Sequence, residues 1–119
     1  MIAVIFEADT TPETQAEYLD IAGGVRPLLA EIDGFISIER FASLSTPGKV
    51  LSLSFWRDEA AVAQWRNLPE HRRAQAAGRH HVFADYRLRI AGVLRDYGKT
   101  SREQAPTDSR IHHEETSHV

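Results

Sequence analysis

The chain reads as an α+β domain in the order βαββαβ, a ferredoxin-like arrangement of one antiparallel sheet with two helices on one face. Short strand-like runs alternate with two helical patterns, and turn chemistry separates the segments. The chain has 119 residues, is 42% hydrophobic and contains no cysteine, enough for one core without disulfide or thiolate-metal staples.

Ile2 to Ala8 is a nearly continuous apolar run with β-branched residues, the pattern of a strand covered on both faces. Glu7 interrupts it, and a carboxylate there needs a partner, a strand end or a polar cavity. Thr10-Thr11-Pro12-Glu13 supplies a hydroxyl cap, a proline where the missing N–H costs nothing, and an acid in the first turn. From there Tyr18, Ala22, Val25, Leu29 and Ile32 form one stripe, so a helix runs to about Ile32. Gly23-Gly24 and Pro27 predict a weakened or kinked middle that another element can approach closely, and Asp33-Gly34 a stop.

Phe35 to Ser43 and Val50 to Arg57 alternate apolar and polar residues across the turn Ser45-Thr46-Pro47-Gly48, which is a hairpin. Asp58 caps a second helix with Ala61, Trp65 and Leu68 on one face. Asn67-Leu68-Pro69-Glu70 breaks and restarts that helix, which Gly78 and His80-His81 close. Phe83 to Tyr97 reads as a final strand, far longer than the typical run of about 5 to 6 residues, and so as reaching toward a partner. On it Tyr86, Leu88, Ile90 and Leu94 share one face, and Arg87, Arg89, Val93 and Arg95 the other. Residues 1–97 thus form the domain. Residues 98–119 read as a polar, flexible tail in which His112, His113 and His118 lack the spacing of a metal site.

The net charge of −3 hides an asymmetry. Acids exceed bases up to Phe55, while bases exceed acids from Trp56 to Tyr97, either a solvated helix surface or a face that attracts an anion. The start MIAVIFEAD has no basic segment, and no apolar run reaches the ~20 residues of a membrane span, so a cytoplasmic protein is expected. Nucleic-acid binding is set aside, because the third strand reads VLSLSFW without the stacking aromatics of RNA-recognition sheets. The sequence contains no phosphate-cradling glycine loop, GxSxG, HExxH or dinucleotide fingerprint.

The DGF after the first helix, the SFWRDEAAVAQW junction and the FADYRLRIAGV strand resemble the antibiotic biosynthesis monooxygenase family over residues 1 to 97. The resemblance implies a homodimeric α+β barrel with a pocket in each subunit between sheet and helices, and an oxidoreductase acting on a small aromatic phenol or quinol. Two helices cover only one face of a sheet, which independently calls for a partner. In the cofactor-independent branch the deprotonated substrate supplies its own electrons, and neither metal nor flavin is needed. His71 is then the acid/base candidate, Trp65 the aromatic wall, and Glu7 the group orienting a hydroxyl or the histidine. Arg87 would stabilise a phenolate, with Gln75, Tyr86 and Phe83 completing the substrate-binding set.

The haem-degrading branch is disfavoured. Its asparagine position carries Glu7, and the places nine and ten residues after Trp65 are Ala74 and Gln75, so the axial ligand is missing. His71 lies one helical turn away from that place. The remaining alternative is a dimer that binds a small ligand without turning it over.

Overall fold

The computed structural model describes residues 1–77 and 83–117. Strand β1 (Ile2–Asp9) leads to helix α1 (Pro12–Leu29), then β2 (Phe35–Ala42), β3 (Lys49–Trp56), α2 (Glu59–Arg66), α3 (Pro69–Ala77), β4 (Asp85–Gly92) and α4 (Thr107–Ser117). The four strands form one antiparallel sheet in the order β2-β3-β1-β4.

Thr11 caps α1 by accepting from the Thr14 N–H at 3.3 Å, while the Thr14 hydroxyl accepts from the Thr11 N–H at 2.9 Å. The expected stripe is the buried one: Tyr18, Ala22, Leu29 and Ile32 all lie inside. The predicted interruption does not occur, and α1 runs unbroken to Leu29 with Pro27 inside it. Pro27 forgoes only the one bond its own position would donate to the Gly23 carbonyl, and it does so in the last turn, where a single lost bond does not divide the helix. Nor do Gly23 and Gly24 admit another described element, since no described residue lies within 4 Å of where their Cβ atoms would be.

Two other glycines are structurally required. Gly34 adopts φ +98°, and a Cβ there would lie 2.8 Å from Ala61 Cβ, so it turns the chain from α1 into β2 beneath α2. Gly48 adopts φ +83° at the hairpin tip, where its carbonyl accepts from both the N–H and the hydroxyl of Thr10 at 2.9 Å.

Asp58 caps α2 by accepting from the Ala61 N–H at 2.9 Å. The break between α2 and α3 is as the sequence indicates. Asn67 closes α2 by donating to the Ala63 carbonyl at 2.9 Å, and Pro69 opens α3. The close of α3 expected at Gly78 and His80-His81 lies outside the described residues, as does His118.

Strand pleating sorts the sheet into two faces. Val50, Ser54 and Trp56 of β3 are buried under the helices, and Ile2, Val4 and Phe6 of β1 pack with them. Trp56 is fully buried, and its indole N–H donates to the Ser54 hydroxyl at 2.9 Å within the core. The residues between them, Ile5 and Glu7 on β1 and Leu51, Leu53 and Phe55 on β3, point to the face that no helix covers.

The last strand is shorter than the sequence suggests, stopping at Gly92 where β1 begins and its pairing partners run out. The residues after it are not structureless. The Arg102 guanidinium lies 5.2 Å over the Tyr97 ring and donates to the Gly98 carbonyl, Ala105 is buried, and α4 follows. Local bonding and a cation-π contact order this segment despite its polar composition.

Candidate functional site

The helix side of the sheet carries a run of aromatic rings that ends on a histidine. Phe35 meets Trp56 edge-on at 5.2 Å, Trp56 stacks with Trp65 at 6.3 Å, and the Trp65 ring lies 4.1 Å from the His71 ring. The helix break creates the last contact. Because α2 stops at Arg66 and restarts at Pro69, His71 in the first turn of α3 folds back onto the tryptophan at the end of α2.

Burial holds the His71 imidazole far below its ordinary pKa, to about 4, and the neighbouring Arg72 charge pushes in the same direction. At neutral pH the ring is therefore uncharged. Its Nδ1 is buried and has no hydrogen-bond partner among the described residues. A buried polar atom without a partner is uncommon, and it marks where a ligand hydrogen bond would be gained.

On the same side of the sheet the last strand leaves apolar side chains exposed. Trp65 and Val4 border the same core, and Val4 is the register partner of Ile90 on β4. Ile90 is 45% exposed, Leu88 51% and Tyr86 38%, although all three point to the helix side. Alternation in the sequence puts Tyr86, Leu88 and Ile90 on one face of the last strand, but does not mark Leu88 and Ile90 as an uncovered apolar wall. Their pairing with Phe6 and Val4 is the signal that exposes it.

The other candidates divide between the two faces. Phe83 and Tyr86 belong to a second ring cluster on the helix side: Phe83 packs on Phe6 and Tyr18, each at 5.3 Å, and Tyr86 lies 5.8 Å from Phe6. Gln75 follows His71 by one turn on α3 and is half-buried. Glu7 and Arg87 are register partners on the opposite face. There Glu7 pairs with Arg89 at 3.5 Å and Lys49 at 3.9 Å, and with Phe41 and Leu51 it lines a shallow cavity of about 250 Å³. The structure thus brings Trp65 and His71 together and leaves Glu7 and Arg87 across the sheet from them. On β1 the side chains facing the helices are Phe6 and Ala8, so a carboxylate at position 7 cannot orient His71.

The described residues do not fit haem. The places nine and ten after Trp65 are Ala74 and Gln75, neither an iron ligand, and the nearby His71 is packed on the indole with its Nδ1 buried. Among the described residues no helix is long and apolar enough to cross a membrane.

Comparison with known proteins agrees with the fold. The chain is 52% identical over 93 residues to a protein of Pyricularia oryzae named jasmonate monooxygenase ABM, covering 78% of this chain and 43% of the relative. The chain thus spans less than half of that relative's length. It is 30% identical over 93 residues to YqjZ of Bacillus subtilis, covering 78% of this chain and 79% of that protein. Among solved structures, SnoaB of Streptomyces nogalater, described as a cofactor-independent oxygenase, superposes with a TM-score of 0.68 at 12% identity, covering 80% of this chain and 94% of SnoaB. The family description antibiotic biosynthesis monooxygenase matches residues 1–77, and the chain belongs to that family.

Proposed function

We propose that the protein is a monooxygenase that takes a small, mostly apolar phenol or quinol into the helix-side groove between the Trp65–His71 pair and β4, and that it works as a homodimer without a resident cofactor. The observation that carries this reading is the buried Nδ1 of His71, held against an indole and without a partner among the described residues, on the side of the sheet where β4 leaves an apolar wall uncovered. A phenolic O–H satisfies that nitrogen, and the ring of the substrate covers Leu88 and Ile90.

The chemistry needs a proton acceptor and an electron-rich substrate. His71 accepts the hydroxyl proton, and the phenolate formed beside it raises the imidazole's affinity for that proton. The phenolate ring gives its electrons to molecular oxygen, and a carbon–oxygen bond forms on the ring. The O–O bond then breaks as the oxygenated ring carbon gives up its hydrogen as a proton: one oxygen stays on that carbon as a carbonyl, and the other leaves as water with that proton and the one His71 returns. Phenol and oxygen are thereby converted to quinone and water, with both electrons supplied by the substrate.

A second reading rests on the 52% identity to the jasmonate monooxygenase: a jasmonate-like acid as substrate. That substrate has no electron-rich ring, so its hydroxylation needs an external reductant. The two readings therefore separate in one assay. Oxygen uptake is followed with a dihydroxynaphthalene and with jasmonate, each with and without a reductant. The phenol reading predicts uptake with the quinol alone, and a loss of about a hundredfold in His71→Phe and a large loss in Trp65→Ala. Wild-type rates in both variants would overturn the roles assigned to them. Ligand-induced stabilisation without uptake under any condition would indicate a binding protein instead.

A further inference from the structure

The joint between α2 and α3 consists of Asn67 and Leu68, and the angle it sets decides how His71 lies on Trp65. Three backbone bonds shape it. The Asn67 N–H donates to the Ala63 carbonyl at 3.1 Å, the Leu68 N–H to the Trp65 carbonyl at 3.2 Å, and the Arg72 N–H to the Leu68 carbonyl at 2.9 Å. Each of these has one end in the joint itself, so none of them ties one helix to the other.

The Asn67 side chain does span the joint. Its amide donates from Nδ2 to the Ala63 carbonyl of α2 at 2.9 Å, and its Oδ1 accepts from the Arg72 guanidinium of α3. Ala63 stands two residues before Trp65, and Arg72 directly follows His71, so this bridge runs alongside the contact between the two rings. Both halves of the amide are needed: an ionised aspartate accepts but cannot donate, and alanine does neither. Arginine suits the other end, because its planar guanidinium gives a directed donor that holds its charge in place. That charge adds to burial in keeping the imidazole neutral.

We infer that Asn67 and Arg72 are positioning residues, a clasp across the helix joint that holds the His71 imidazole on the Trp65 ring where a substrate hydroxyl can reach Nδ1. The consequence for turnover rests on the proposed role of His71 as proton acceptor, whereas the clasp itself does not. Both side chains are exposed, so water competes for their bond and it adds little to the stability of the chain. Its effect lies in placement, since a catalytic group displaced by about 1 Å can cost about a hundredfold in rate.

The test is NMR of the His71 imidazole in the full chain, its resonance assigned by its loss in His71→Phe, beside oxygen uptake with the dihydroxynaphthalene. In the wild type the Trp65 ring current should displace this signal from those of the other histidines, and it should titrate at about pH 4. Asn67→Ala and Arg72→Met should each shrink the displacement and raise the titration midpoint. Each should also lower kcat about tenfold while KM stays within about threefold, because the β4 wall still binds the substrate ring. Arg72→Lys keeps a donor and the charge and should recover most of both properties. Unchanged signals from the second ring cluster, Phe6, Phe83 and Tyr86, would show that the variants fold. A His71 signal in Asn67→Ala and Arg72→Met that matches the wild type in position and titration would overturn the clasp. A changed signal with wild-type oxygen uptake would uphold the clasp and overturn the role of His71 in the reaction instead. If the wild type takes up no oxygen, the imidazole signal still decides the clasp.

Discussion

One sheet carries two surfaces of different character, separated only by the pleat. The helix side is built from rings and has one buried, uncharged imidazole at its end, His71 against Trp65. The open side has an apolar centre and charged edges, with Glu7, Lys49, Arg87 and Arg89 all in or near solvent. A polar group under the helices pairs with another buried group, as the Trp56 indole does with Ser54, or, like the His71 Nδ1, has no partner among the described residues. A polar group on the open side keeps its charge and is free to choose a partner. A neutral, desolvated base is therefore available on the first surface, while the second keeps its charges in reach of solvent.

The largest expected effect comes from two adjacent residues on opposite faces. Trp56 is fully buried in the helix-side core, so Trp56→Ala should cost about 3–5 kcal/mol, a large part of the stability of a small domain. Phe55 points to the open face and is half-buried, so Phe55→Ala should cost the single chain a fraction of that and chiefly weaken association. Urea midpoints measured at low protein concentration, beside sedimentation, separate the two. Equal losses of chain stability in both variants would show that the faces are not energetically distinct.

The division into faces was partly legible in the sequence. Alternation in Leu51 to Phe55 and the stripe from Tyr18 to Ile32 give the elements and their buried sides, because the periods of strand and helix differ. The Pro69 restart is equally local, and it brings His71 back over Trp65. The grouping of Glu7 and Arg87 with Trp65 and His71 was not recoverable. Ile2 to Ala8 is apolar on both faces, so its period does not say which side chains face the helices, and only pairing with β3 decides that Phe6 rather than Glu7 does so. The weakened basicity of His71 is equally hidden, since burial and not residue type sets its pKa. The end of β4 at Gly92 depends on where β1 begins, a contact distant in sequence. The ordering of residues 97–105 rests on Arg102 over Tyr97, a pair that composition does not reveal.

The next effect is a dependence on pH that only the helix side should show. In the unfolded chain His71 takes a proton near its ordinary 6.5, whereas in the fold it does so only near 4. Above pH 6.5 both states are neutral and nothing is lost. As the pH falls from 6.5 toward 4 the unfolded state binds the proton first, so stability declines, by no more than about 2 kcal/mol because solvent screens part of the ring. Urea midpoints at pH 7 and pH 4.5 should differ more in the wild type than in His71→Phe, where this part of the slope disappears. An unchanged slope would show that the imidazole remains solvated. A bound phenol that donates to Nδ1 should hold the ring neutral and carry the low-pH loss further.

The smallest effect belongs to the open side and is the sharpest check on the separation. Glu7 sits at 3.5 Å from Arg89 and 3.9 Å from Lys49, with all three side chains more than a third exposed, so solvent screens both pairs. Glu7→Gln keeps the shape and one acceptor, and should change the stability of the chain by less than about 1 kcal/mol. Oxygen uptake should stay within about twofold of the wild type, far from the loss of about a hundredfold expected for His71→Phe. Because the Glu7 side chain points away from the groove, a collapse of activity in Glu7→Gln with folding and assembly intact would mean that the open face takes part in the chemistry. The functional division between the two surfaces would then fail, whatever the fate of His71.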